Sequence, residues 1–337
     1  MQKDVKLSII MPSYNKAEFI SNAIDSVLSQ ETEYSFQIIV VDDHSTDGTV
    51  EIVEKYQDKY PEKIVLLKSD KNQKLFKNIL RAYENVKTDY FCVLDPDDYW
   101  IDSNKIQRAL SFLESNPEYT IYVSKSKKVY LDGTEIDNEN ENENVLDKYD
   151  SDFYDFCSKG TRYLGNTLES VYRNIIFKNG VPEKLKNIEI NQPTAAVSFR
   201  GDTFRSAIHI KEGKAHKTND VDSVYRITDS GIYQRLTEYE RDLLNCQLFV
   251  DLWLYWEEKY IAILALAYGF YQSLKLPANV NKIMSVDEKR IKEIIERYYS
   301  LESVFMLNKK ELEQYLKGHK NNIGIQKKIK KIFSLFK

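Results

Sequence analysis

Two hydrophobic rhythms alternate along the first hundred positions. Leu7-Ser8-Ile9-Ile10-Met11 is a short, nearly continuous apolar run, the pattern of a buried strand, and Ile20, Ala23, Ile24, Val27 and Leu28 then recur at helical spacing. Ile38-Ile39-Val40-Val41 is a second buried strand, and Val50, Ile52, Val53 and Tyr56 predict the next helix, with Ser45, Thr46 and Asp47 as N-cap candidates. Ile64 to Leu67 is a third strand. Leu75, Phe76, Ile79, Leu80, Tyr83 and Val86 form another helical stripe, and Tyr90-Phe91-Cys92-Val93-Leu94 is a fourth strand. Strands alternating with helices predict an α/β fold: a mostly parallel, Rossmann-like sheet with helices on both faces.

The rhythm changes near residue 120. Thr120 to Ser124 and Lys128 to Leu131 read as two strands, and Asp132-Gly133 is a turn signal. Asp137 to Asn144, alternating Asn with Glu, is expected to be a solvated loop, because such a segment has nothing to bury. From Thr237 the pattern is helical, with the aromatic-rich stretch Phe249 to Trp256. These breaks predict a domain over 1–236, in halves 1–119 and 120–236, a helical C-terminal region over 237–322, and a distinct tail over 323–337.

Composition narrows the function classes. At 42% hydrophobic residues there is material for a full core, and a net charge of −4 gives no electrostatic case for nucleic acid. Cys92, Cys157 and Cys246 lie far apart with no Cys-x-x-Cys pair, which fits a reducing compartment without a zinc site or disulfide framework. The start, Met1-Gln2-Lys3-Asp4, lacks the apolar stretch of a signal peptide, and the longest apolar run, Ile261 to Tyr268, is shorter than the about 20 residues needed to span a bilayer. The expected location is therefore cytoplasmic.

The chemistry is expected beyond the carboxyl ends of the strands, where open parallel sheets bind ligands. Those ends read Pro12-Ser13-Tyr14-Asn15, Asp42-Asp43-His44-Ser45 and Asp95-Pro96-Asp97-Asp98. Crowded carboxylates are costly unless a cation sits among them, and Mg²⁺ typically uses one or two carboxylates together with substrate phosphates. Neither a Gly-x-x-x-x-Gly-Lys-Ser/Thr loop nor a Gly-x-Gly-x-x-Gly after the first strand is present, so a P-loop NTPase or a dinucleotide dehydrogenase is not indicated.

Val5-Lys6-Leu7-Ser8-Ile9-Ile10-Met11-Pro12-Ser13-Tyr14-Asn15 and Ile39-Val40-Val41-Asp42-Asp43-His44-Ser45-Thr46-Asp47-Gly48-Thr49 together resemble the opening of family 2 glycosyltransferases. Lys77-Asn78 through Leu94-Asp95-Pro96-Asp97-Asp98-Tyr99-Trp100 is similar to that family's central Asp-x-Asp region, and the resemblance extends over about residues 5 to 235. It implies a GT-A fold, a nucleotide-diphosphate-sugar donor, Mg²⁺ or Mn²⁺, and inversion at the anomeric carbon. The first half becomes the nucleotide-binding half and the second the acceptor half. By position, Pro12 and Tyr14 stand at the donor, with Tyr14 against the nucleobase, and Asp43 accepts from a base that in this family is usually uracil. Asp95 lies near the ribose, Asp97 contacts the metal with Asp98 able to share it, and Lys77 and Asn78 stand near the donor.

Inversion in one step needs a base opposite the leaving group. The resemblance assigns it to Asp202 in Arg200-Gly201-Asp202-Thr203-Phe204, ahead of a strand and then Asp222-Ser223-Val224-Tyr225-Arg226; Asp220 and Asp222 are the alternatives. Thr228 stands where the family often has a metal- or diphosphate-binding His, and His209 and His216 read as surface residues. Tyr163 to Arg173 is a candidate for shaping the acceptor side.

In the tail, Ile325, Ile329, Ile332, Phe333 and Phe336 share a helix face and lysines fill the remainder. This reads equally as a helix lying on the inner face of a membrane or as one packing on its own domain or on a homodimer partner. The expected activity is metal-dependent sugar transfer, with a hexose the expected sugar, from a UDP-sugar to a hydroxyl of a glycan, glycolipid or glycoprotein in cell-surface polysaccharide assembly. The alternative is a catalytically inactive nucleotide-sugar binding or scaffold module.

Overall fold

A computed structural model describes residues 4–136, 150–153, 155–156, 164–187, 201–228, 236–256, 258–273 and positions 299 and 310. The solvated loop expected at Asp137 to Asn144, Cys157 and the tail lie outside the described residues. The chain divides into two compact units, one of residues 1–186 and 200–228, the other of residues 187–199 and 229–337.

In the first unit, strands β1 (Leu7–Ser13), β2 (Phe36–Asp42), β3 (Ile64–Lys68) and β4 (Tyr90–Val93) form a parallel block in the order β3-β2-β1-β4. The sheet continues through β8 (Ser170–Arg173), β6 (Tyr119–Tyr130) and β9 (Lys214–Ile227) to β5 (Tyr99–Trp100), with β7 (Asp150–Ser151) also paired on β9. Strand β8 runs antiparallel to both β4 and β6, whereas β6 and β9 are parallel.

Alternation along the strands separates two apolar layers. Leu7, Ile9 and Met11, with Ile38, Val40 and Cys92, pack against helices α1 (Ile20–Leu28), α2 (Thr49–Lys59) and α4 (Lys105–Ser115), which contribute Ile24, Val53 and Leu110 to one cluster. On the other layer, Phe91 and Tyr172 stack with centroids 5.1 Å apart. Tyr83 of α3 (Lys74–Asn85) lies edge-on to Phe91 at 5.9 Å, and His209 of α6 (Asp202–Ile210) sits 5.5 Å from the same ring. A short helix, α5 (Glu183–Asn187), precedes α6 in the chain.

Several expectations change. The two strands expected around residues 120–131 are one twelve-residue strand, β6, because β9 pairs along its length and carries it through its lysines. Helix α2 is entered from Gly48 at φ 92°, which no β-carbon obstructs, while Asp47 accepts the Thr49 N–H at 3.1 Å. Asp202 opens a helix rather than preceding a strand directly. His209 is fully buried among Phe91, Tyr172 and Phe177, and half-buried His216 pairs with Asp150 at 2.8 Å and stacks on Phe112; neither is a free surface residue.

In the second unit, α7 (Glu238–Tyr255) starts at Thr237, whose side chain and that of Glu240 cap each other's backbone N–H. Helix α8 (Lys259–Ser273) packs against it, with the Phe249 and Tyr268 rings 6.0 Å apart. Among the described residues no helix is long and apolar enough to cross a membrane.

Candidate active site

Among the described residues, three other than glycine adopt left-handed backbone: Asn15 (φ 51°), His44 (φ 69°) and Lys74 (φ 72°). They follow β1, follow β2 and open α3, so all three lie at the carboxyl edge of the parallel block. Such geometry persists only where surrounding contacts enforce it, and it concentrates at functional sites. The contacts are present. Asn15 N–H donates to Ser45 Oγ (2.9 Å), Thr46 N–H to Asn15 Oδ1 (2.9 Å), Lys16 N–H to Thr49 Oγ1 (2.8 Å) and Ala17 N–H to Asp47 (3.0 Å). The loops after β1 and β2 are thereby knitted into one wall.

Asp43 belongs to that wall. It is buried, its N–H donates to the Ser13 carbonyl (2.9 Å), and its two oxygens accept the N–H groups of Gln73 and Lys74, each at 2.8 Å. Each oxygen keeps a second lone pair for a further donor. Asn78 is committed to the scaffold: it is buried, its amide donates to the Val41 carbonyl (2.7 Å) and its oxygen accepts from Arg81 (2.9 Å). Arg81 also donates to the Lys68 carbonyl (2.8 Å), joining the ends of β2 and β3. Lys77, on the same helix, is exposed; Pro12 is buried in β1 and Tyr14 stands 46% exposed just beyond it.

The acidic run after β4 is the electrostatic centre. Asp98 is buried and accepts the N–H of Arg226 (2.8 Å); burial first, then the Asp95 and Asp97 charges, hold its carboxyl well above the usual range. Burial pushes Asp95 up to about 7, reinforced by Asp97 and Asp202 and opposed by Lys16 and Arg205. Asp97 pairs with the ammonium of Lys16, while its carbonyl accepts from Arg226 Nη1 (2.7 Å). Arg226 Nη2 reaches Asn22 (2.6 Å), and the guanidinium lies 4.3 Å over the Tyr99 ring. The end of β9 is thus locked onto the tip of β4.

Asp202 approaches from α6. Its Oδ1 accepts the Thr203 N–H (2.7 Å), and its charge bears on both Asp95 and Arg205. Arg205 is buried, with Nη1 on the Tyr83 hydroxyl (2.8 Å) and the guanidinium 5.2 Å from the Tyr172 ring centre. Asp222, an alternative base, is otherwise employed: it forms a fully buried ion pair with Lys105 (2.7 Å), supported by Ser124 (2.8 Å) and Ser223 (2.7 Å). Asp220 is exposed, with Arg108 at 3.5 Å. Lys16 and Arg205 were invisible to motif reading because each partner is distant in sequence.

The donor set suits a hard divalent ion. Carboxylates outnumber nearby cations, and a protein ammonium already occupies the Asp97 position. Among the described residues no three side chains gather as a ready-made metal cage, so Asp97 is the residue that would hold an ion here.

A sequence model described as Glycosyl transferase family 2 matches residues 8–197. The chain belongs to glycosyltransferase family 2. The poly(ribitol-phosphate) beta-glucosyltransferase of Bacillus spizizenii is 24% identical over 330 residues, 94% of this chain and 47% of that protein. The Staphylococcus aureus TarS 1-349 structure in complex with UDP-GlcNAc superposes with a TM-score of 0.53 at 16% identity, over 90% of this chain and 92% of that one. The mannosyltransferase of Pyrobaculum calidifontis, solved with GDP-Man and Mn²⁺, gives 0.51 at 15% identity over 92% and 82%. These likenesses assign the GT-A fold to this family 2 chain. The chain spans less than half the length of the curated relatives it matches.

Proposed function

We propose that this family 2 glycosyltransferase transfers a sugar, with inversion, from a UDP-sugar to a hydroxyl of an anionic cell-surface polymer. The observation that carries the reading is the meeting of four carboxylates from two distant segments: Asp95, Asp97 and Asp98 after β4, and Asp202 at the head of α6, whose charge is felt at Asp95. A nucleotide donor fits the strained wall beyond β1 and β2, with Tyr14 beside the base and Asp43 accepting from it. The anionic acceptor is supported by the name of the relative aligned along 94% of the chain.

In this reading the acceptor oxygen forms a bond to the anomeric carbon as the bond from that carbon to the diphosphate oxygen breaks. An Asp202 oxygen takes the acceptor proton, leaving the nucleoside diphosphate as the departing group. A divalent ion at Asp97 would supply Lewis-acid neutralisation of the diphosphate charge. Arg226 holds the Asp97 carbonyl and the Asp98 carboxylate in place, and Arg205 sets a permanent positive charge near Asp95 and Asp202.

The test is incubation with UDP-hexoses, Mn²⁺ and poly(ribitol phosphate), following UDP release and the anomeric configuration of the product by NMR. Release of UDP with inverted product supports the reading. Pyrophosphate release would indicate a nucleotidyltransferase, and tight UDP-sugar binding without turnover on any acceptor would indicate a binding module.

A further inference from the structure

The ion pair between Lys16 and Asp97 has no place in the expected chemistry, yet it sits at the metal position. Its construction differs from that of the fully buried pair of Lys105 and Asp222. Lys105 and Asp222 are 1% and 0% exposed, and serines on neighbouring strands complete their bonds. Lys16 and Asp97 are 22% and 17% exposed, so the contact opens toward solvent. The root of the lysine is nevertheless fixed. Its N–H is held by Thr49 (2.8 Å), and its carbonyl accepts from Phe19 (3.0 Å) and Ile20 (2.9 Å) at the start of α1. Movement of the ammonium therefore needs only side-chain rotation. An ammonium is a compact charge on a flexible stem and a good phosphate ligand.

We infer that Lys16 is the site's own exchangeable cation: it holds Asp97 in the donor-free protein and passes to the donor's phosphates when a divalent ion takes Asp97. This rests on the donor-binding role proposed above. The lysine keeps the donor-free site from carrying uncompensated carboxylates. It also makes free metal a poor ligand until a diphosphate arrives to receive the ammonium, so ion and donor bind together.

The experiment is a Mn²⁺ titration of donor-free protein, reading free Mn²⁺ by electron paramagnetic resonance, on wild type, Lys16→Met and Lys16→Arg. A second titration measures UDP and uridine in saturating Mn²⁺. A site blocked by a competing side chain binds in proportion to its open fraction. Lys16→Met is therefore expected to bind Mn²⁺ about five- to tenfold more tightly without donor, with Lys16→Arg near wild type. The same Met variant should lose about tenfold in UDP affinity while uridine affinity stays unchanged. Unchanged or weaker Mn²⁺ binding by Lys16→Met, or unchanged UDP binding, overturns the inference. Lys16→Gln carries the same comparison if the Met variant does not fold, as judged by circular dichroism. Wild type that binds both Mn²⁺ and UDP, with neither affinity altered in the variants, refutes the lysine exchange alone. Wild type that binds neither refutes the donor-site reading as well.

Discussion

Removing Lys105 should be strongly destabilising. Its ammonium and the Asp222 carboxylate are sealed from solvent, with the ammonium also on Ser124 (2.7 Å) and 5.6 Å from the centre of the Trp100 ring. Lys105→Met leaves the carboxylate with two hydroxyl donors and Arg108 at 3.7 Å. Breaking a buried pair by deleting one partner costs about 3–5 kcal/mol, because the remaining charge cannot reach water. For a body of this size each kcal/mol moves the melting midpoint about 2–4 °C, so a fall of roughly 6–20 °C is expected by calorimetry. Lys105→Met combined with Asp222→Asn removes both charges and keeps an acceptor for the serines. It should recover most of the loss and, with Asp202 proposed as the base and Asp222 tied into the buried pair, retain sugar transfer. A single variant within about 1 kcal/mol of wild type, or a double variant no more stable than the single, would refute this description of the pair.

The other predictions concern the site and its supports. Asp202→Asn should lower the transfer rate about 10²–10⁴-fold while UDP affinity holds, measured by UDP release and calorimetric titration; equal losses in both would remove it from the role of base. His209 is buried and its ring is held near pKa 3 by burial above all, so native protein stays unprotonated while unfolded chain takes up a proton below about 6.5. Stability should therefore fall with acidification through the window from about 6.5 to 3, by up to about 1.4 kcal/mol per pH unit from this group, and His209→Phe should flatten that slope in urea unfolding curves. Asn78→Leu should cost about 1–3 kcal/mol by leaving the Val41 carbonyl and an Arg81 N–H without their partner, and should weaken UDP binding only indirectly, through the loosened end of β2.

The parallel half of the fold was legible because strands covered on both faces read as nearly continuous apolar runs; β1, β2 and β4 are such runs. The second half was not. Lysines interrupt β6, β9 is polar over much of its length, and β5 has two residues whose strand character exists only through pairing with β9. For the site, the carboxylates stood out as punctuation after strands. What neutralises them did not, because Lys16 and Asp97 are 81 residues apart and Arg226 reaches the Asp97 carbonyl across 129. Asn78 shows the opposite limit: its position beside Lys77 suggested donor contact, whereas burial and two bonds give it to the scaffold.

The most direct measurement is a calorimetric titration of UDP, in the presence of Mn²⁺, into wild type and Asp97→Ala. Heat of binding in wild type, lost in a folded Asp97→Ala variant, is the result expected if the tip of β4 grips the diphosphate. Equal affinity for UDP in the two proteins would contradict it.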